Sequence, residues 1–206
     1  MKVAAIIVAA GRASRFGATS KLLADLRGKP IIAHVAHAAC AARLDARLAV
    51  VAPASPVADA LRRYPDLQII VNPAPDEGLS SSIRAGLSAL TDDIDGAAIL
   101  LGDMPLVSPS LIDELRRAFE ASRGRAIVYP ASRGGRQGNP VLWPRDLFQA
   151  LAVLQGDKGG KALLAANPDR HMAVPVDGAE DLQAFTDIDT PADLEAVTRA
   201  LHARDV

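Results

Sequence analysis

The stretch "VAAIIVAAGRASRFGATSKLL", residues 3–23, decides how the rest of the chain is read. Its first seven residues, Val3 to Ala9, are all apolar and show no polar alternation, which predicts a strand buried on both faces, as in a parallel sheet. The following loop holds Gly11, Arg12, Arg15, Gly17 and Lys21 before the chain turns apolar again at Leu22. A loop leaving such a strand stands at the carboxyl edge of the sheet, where open α/β folds take their ligands. Glycines permit close backbone approach and the cations offset negative charge, so a triphosphate suits it, as does plain exposure of a basic loop to solvent. Neither common phosphate template applies. Five residues separate Gly11 from Gly17 and Phe16 stands where a P-loop sequence needs lysine's neighbour, and no middle glycine completes a dinucleotide fingerprint.

Outward from this strand, further apolar runs fall at 47–52, 68–71, 97–101 and 126–129, with helical patterns over 31–42, 56–64, 79–90 and 109–121. Ser108 before Pro109 makes a strong helix start, a capping hydroxyl followed by proline at the first helical position. This alternation predicts an α/β, Rossmann-like three-layer fold with a mostly parallel central sheet. Beyond residue 130 the alternation fails at "SRGGRQGNPVLWP", followed by a short helix, a strand-like "HMAVPV" and a last helix from Thr190 or Pro191 to Ala203. The expected organisation is a single domain, 1–206. In it, 1–130 forms a nucleotide-binding half, and 131–206 is an insertion forming the acceptor side of a cleft and ending in a helix that closes back on the first half.

The composition bounds the partners. With 206 residues, 50% hydrophobic and 23% charged, and a net charge of −1, the chain has one core's worth of apolar residues and no global basic field for nucleic acid or an anionic membrane. No run reaches the ~18 apolar residues of a membrane span. The apolar start has basic residues immediately after it rather than an export signal, and the lone Cys40 fits a reducing compartment, so the expected location is the cytoplasm. Cys40 reads as a small buried apolar group. His34 and His37 share a helix face without a third ligand nearby and receive no role.

Three further stretches carry chemistry. "LLGDMPLV" puts Asp103 just after an apolar strand, where its carboxylate suits either a turn or a hard cation such as Mg²⁺. In "FTDIDTPADLEAV", Asp189 or Thr190 suits a helix cap, and Asp187 lies two residues earlier. In "NPAPDEGLSSSIRAGL", Gly78 and the serines after it suit the edge of a base, and Ser80 or Ser81 suits a helix cap.

The opening "VAAGRASRFGATSKLL" resembles the A-A-G-x-S-x-R-x-G-x-x-x-K start of the MobA-like nucleotidyltransferases, most closely the molybdenum cofactor cytidylyltransferases; the usual serine position is Ala13 here. The implied fold is that of the nucleotide-diphospho-sugar transferases. The resemblance implies that Ala9, Ala10, Gly11, Arg15, Gly17 and Lys21 hold the nucleoside triphosphate, with Gly78, Ser80 and Ser82 at the base. Asp103 and Asp189 become the Mg²⁺ ligands, and Arg15, Lys21 and Asp103 the catalytic set. "GRQGNPVLW" and "LQGDKGGKALL" resemble acceptor segments of the same enzymes, with Gly160 and Lys161 in place of Ala and Arg. The implied reaction moves CMP from CTP to the terminal phosphate of a molybdopterin-type cofactor, whose product passes to a molybdoenzyme or its chaperone. AAG in the first loop and "GLSSS" in the second favour CTP over GTP, with the amine acceptor supplied by a backbone carbonyl near Gly78 or a serine hydroxyl. Use of GTP, of another phosphate or alcohol acceptor, or a non-catalytic nucleotide-binding chaperone are the alternatives.

Overall fold

The computed structural model describes residues 1–11, 20–156, 160–177 and 184–202. The Val3–Ala9 run is strand β1, and every one of its residues is buried. β2 (Asp25–Leu26) and β3 (Lys29–Pro30) form a small hairpin, followed by α1 (Ile31–Ala41), β4 (Ala46–Val51), α2 (Pro56–Leu61) and β5 (Gln68–Val71). The chain continues through α3 (Leu79–Ser88), β6 (Gly96–Leu101), α4 (Pro109–Ala121), β7 (Ile127–Ala131) and β8 (Val141–Pro144). It then runs through α5 (Phe148–Ala152), α6 (Lys161–Ala165), β9 (His171–Pro175) and α7 (Pro191–His202).

Seven strands form one sheet in the order β5-β4-β1-β6-β8-β7-β9. β5, β4, β1 and β6 pair in parallel, β7 pairs in parallel with β9, and β8 runs antiparallel to both neighbours. Alternate residues of β1 serve opposite layers. Val3, Ala5, Ile7 and Ala9 pack with residues of α1 and α4, whereas Ile6 and Val8 pack with Ile83 and Leu87 of α3. Burying such strands on both faces, at about 25 cal/mol per Å² of apolar surface, is the main stabilisation of this fold.

Two expectations change. The segment after residue 130, where the sequence predicts no regular strand alternation, adds a strand to the sheet, because β8 enters it between β6 and β7, pairing Ile99 with Val141 and Val128 with Leu142. A four-residue antiparallel strand joined by loops has no βα period to announce it. The second helix ends at Leu61 rather than Tyr64, since Tyr64 instead donates its hydroxyl to the Ala33 carbonyl at 2.7 Å.

The connections locate a binding crevice. From β1 the chain winds outward to β4 and β5, then crosses back to β6 on the other side of β1. The carboxyl ends of β1 and β6 therefore flank the point where the winding reverses, which is where open α/β sheets hold ligands.

Candidate functional site

A cleft of about 770 Å³ opens at that point, within the range of small-molecule sites. Ala9, Ala10 and Gly11 line it from β1, Leu101, Gly102 and Asp103 from β6, and Gly78, Leu79 and Ser82 from the start of α3. Lys21, Asp187 and Asp189 complete one end. Gly102 is needed for the approach of the two strand ends: it donates to the Val8 carbonyl at 3.1 Å, and a Cβ there would lie 3.0 Å from that oxygen.

The charged end is built from three distant segments. Lys21 stands in a short 3-10 turn anchored by the buried Leu22. Its Nζ donates to Asp103 Oδ2 at 2.7 Å and to Asp189 Oδ1 at 2.6 Å. Burial opposes the Lys21 charge, but its hydrogen bonds to Asp103 and Asp189 outweigh that and hold its pKa above the ordinary 10.5. Asp189 is brought opposite Asp103 by the backbone: Ile188 N–H donates to the Asp103 carbonyl at 3.0 Å. Ile188 is itself fully buried with Leu26, Ile31 and Val197, so α7 packs on the first half of the chain.

The cap of α7 adjoins this cluster, since Asp189 N–H donates to Asp193 Oδ2 at 3.1 Å. Thr190 N–H donates to Asp193 Oδ2 at 2.7 Å and Asp193 N–H donates to Thr190 Oγ1 at 3.2 Å, a reciprocal capping box. Asp189 is not the capping side chain; its carboxylate faces Lys21.

At the start of α3 the lining is Pro75, Asp76, Gly78, Leu79 and Ser82, and the hydrogen bonds that shape it run between uncharged groups. Gly78 caps α3 at φ 87 and ψ −170, a conformation essentially restricted to glycine. Neither Ser80 nor Ser81 caps the helix, in contrast to the sequence expectation. Ser81 instead donates back to the Gly78 carbonyl at 2.8 Å, and Ser80, 2% exposed, does not line the cleft, whereas Ser82 does. Asn72 was not anticipated. It sits buried beneath the segment, donating to the hydroxyls of Ser81 and Ser82 at 2.8 and 3.1 Å. Before proline it reads as an ordinary turn residue, and no local signal distinguishes it.

Arg12, Arg15 and Gly17 lie outside the described residues, as does part of "LQGDKGGKALL". Cys40 is half-buried against the core, and burial pushes its thiol pKa up, consistent with an unreactive packing role. His34 bonds the Leu26 carbonyl. No helix among the described residues is long and apolar enough to cross a membrane.

The family model described as a MobA-like NTP transferase domain matches residues 5–172. The chain belongs to the MobA-like NTP transferase family. Its matched span contains β1, the Lys21 turn, the Gly78 segment and Asp103; Asp189 follows it. This MobA-like nucleotidyltransferase is 25% identical to "Probable molybdenum cofactor guanylyltransferase" of Natronomonas pharaonis, over 95% of this chain and 96% of that one. It is 34% identical to a 2-C-methyl-D-erythritol 4-phosphate cytidylyltransferase of Cereibacter sphaeroides, over 89% and 82% of the two chains. The crystal structure of Rv0371c from Mycobacterium tuberculosis superposes with a TM-score of 0.82 at 25% identity, covering 97% and 98%. The nucleotide-diphospho-sugar transferase fold expected from the sequence is thus the fold of this chain.

Proposed function

We propose that this chain is a cytoplasmic cytidylyltransferase that moves CMP from CTP to the terminal phosphate of a molybdopterin-type cofactor and releases pyrophosphate. The observation that carries the reading is the convergence of Asp103 and Asp189 on Lys21 Nζ at the carboxyl ends of β1 and β6. Among the described cleft residues four are aspartates and Lys21 is a cation, a lining that would host a triphosphate poorly without added positive charge. Two carboxylates whose oxygens reach one cationic point fit Mg²⁺, a hard ion commonly held by one or two carboxylates with substrate phosphates and water. Asp103 and Asp189 would hold it. Bound there it would supply charge neutralisation and polarisation of the α phosphate.

The residues do the remaining work by position. The attacking oxygen belongs to a phosphate monoester already largely ionised near neutrality, with a second pKa of ~6, so no protein base is required. It forms a bond to the α phosphorus while the bond from that phosphorus to the bridging oxygen breaks, and the electron pair leaves with pyrophosphate. Lys21, drawn from its carboxylates to the more negative triphosphate, offsets charge on the β and γ phosphates together with Arg15, with Gly17 allowing the loop to approach. Ala9, Ala10, Gly11 and the Gly78–Ser82 segment enclose the nucleoside, and the Ala10 methyl narrows the space for a purine.

GTP is the second reading, because the relative from Natronomonas pharaonis bears a guanylyltransferase name. The deciding experiment offers CTP, GTP, ATP and UTP in turn with Mg²⁺ and molybdopterin and follows pyrophosphate. Release with CTP well above the others is the expected result. Release with GTP makes the protein a guanylyltransferase, and nucleotide binding without release from any donor makes it a non-catalytic carrier.

A further inference from the structure

The polar end of the cleft depends on a residue that does not line it. Asn72 follows β5 at 1% exposure, and its carboxamide oxygen accepts the Ala74 N–H at 2.9 Å. That bond fixes which way the amide lies, so Nδ2 is the atom facing the serines, and its two hydrogens go to Ser81 Oγ and Ser82 Oγ. A helical serine can return its own proton to a carbonyl three or four residues earlier, as Ser81 does to Gly78. The carbonyl four before Ser82 is that of Gly78, which already accepts the Ser81 hydroxyl at 2.8 Å and the Ser81 N–H at 3.2 Å. With both lone pairs of Gly78 engaged and one lone pair of Ser82 taken by Asn72, the Ser82 proton finds no acceptor among the described residues. Ser82 is 4% exposed and lines the cleft, so the proton's remaining outlet is the ligand.

We infer that Asn72 is a positioning residue that sets the hydrogen-bond polarity of the base subsite. By donating to Ser82 Oγ it turns that hydroxyl into a donor toward the cleft, suited to an unprotonated ring nitrogen. Cytosine presents such a nitrogen between its carbonyl and amine, whereas uracil carries N–H at the same place and opposes the serine proton. This inference rests on the CTP reading of the cleft and adds the residue pair that separates CTP from UTP.

The test is equilibrium binding of CTP, UTP and GTP to the full chain, with Mg²⁺ and without acceptor, for the wild type, Asn72→Asp, Ser82→Ala and the double variant. A carboxylate at position 72 accepts the Ser82 proton and leaves only lone pairs for the cleft. The wild type is expected to favour CTP over UTP roughly 100-fold, and each single variant to lose about tenfold or more of that ratio. The double variant should lose no more than Ser82→Ala, because Asn72 acts through Ser82. A ratio unchanged in Asn72→Asp, or an equal further loss when it is added to Ser82→Ala, overturns the relay. Should Asn72→Asp not fold, as judged by circular dichroism, the comparison passes to Ser82→Ala and Ser82→Thr, where loss of the ratio in the first and its retention in the second is required. A wild-type chain that binds GTP more tightly than CTP sinks the cytidylyl reading and the inference with it, before any variant is compared.

Discussion

The two ends of the cleft are built by opposite means. At the charged end, three ionised groups from segments far apart in the chain meet at Lys21 Nζ, 82 residues from Asp103 and 168 from Asp189. At the α3 end, Asn72, Gly78, Ser81 and Ser82 lie within one short stretch, joined by hydrogen bonds between uncharged groups in which donor and acceptor cannot exchange. A charge acts over several ångströms and tolerates displacement; a hydrogen bond fixes direction and identity. The first arrangement suits a flexible, highly charged phosphate chain, and the second suits the rigid edge of a base.

Substitutions at the two ends should separate accordingly. The largest effect is expected for Asp103→Ala, with kcat/KM reduced toward ~10³-fold, as for loss of one preorganised electrostatic group, and an unchanged circular dichroism spectrum. Wild-type turnover in that folded variant would remove Asp103 from the chemistry. Lys21→Ala should follow with ~10²-fold, because two carboxylates remain to recruit other cations; steady-state kinetics at several salt concentrations checks it. A cost indistinguishable from that of an exposed surface lysine would mean that Lys21 does not reach the triphosphate.

At the α3 end Gly78→Ala should act on stability first. Its φ of 87 sets a residue with a Cβ in strain of ~1–3 kcal/mol, visible as a lowered denaturant midpoint. An unchanged midpoint would show that the α3 start relaxes freely. The smallest effect is expected at the cap of α7. Hydrogen bonds from the Thr190 hydroxyl and backbone hold the Asp193 carboxyl below its ordinary 3.8. A depressed carboxyl stabilises the fold above its unfolded value, and the contribution is lost as pH falls below 3.8. Thermal melts of wild type and Asp193→Asn should therefore differ at neutral pH and converge under acid. A gap that persists there would exclude the carboxylate as its source.

This contrast also explains what could be read from residues alone. Strands β1, β4, β5 and β6 announce themselves as apolar runs, and α4 starts and ends where Ser108-Pro109 and its periodicity place it. Asp103 and Asp189 stand beside strong turn and helix-start signals, so their type and location attract notice before any contact is known. Their meeting at Lys21 is invisible to periodicity, since it depends on how β1, β6 and α7 are stacked. Asn72 escapes for the reverse reason: its partners are close in sequence, but "NPAPDEG" reads as turn chemistry whichever way the amide faces. β8 escapes because four apolar residues carry no information about strand direction.

The hydrogen bond from Ile188 to the Asp103 carbonyl has a consequence in time. The parallel core can collapse as soon as β1, β4, β5 and β6 exist, but Asp189 joins it only after a long loop has closed and Ile188 has found its pocket. The Lys21–Asp103–Asp189 cluster is thus expected to assemble after the parallel core and to lose its tail-borne half first on warming, so loss of turnover should run ahead of loss of the sheet.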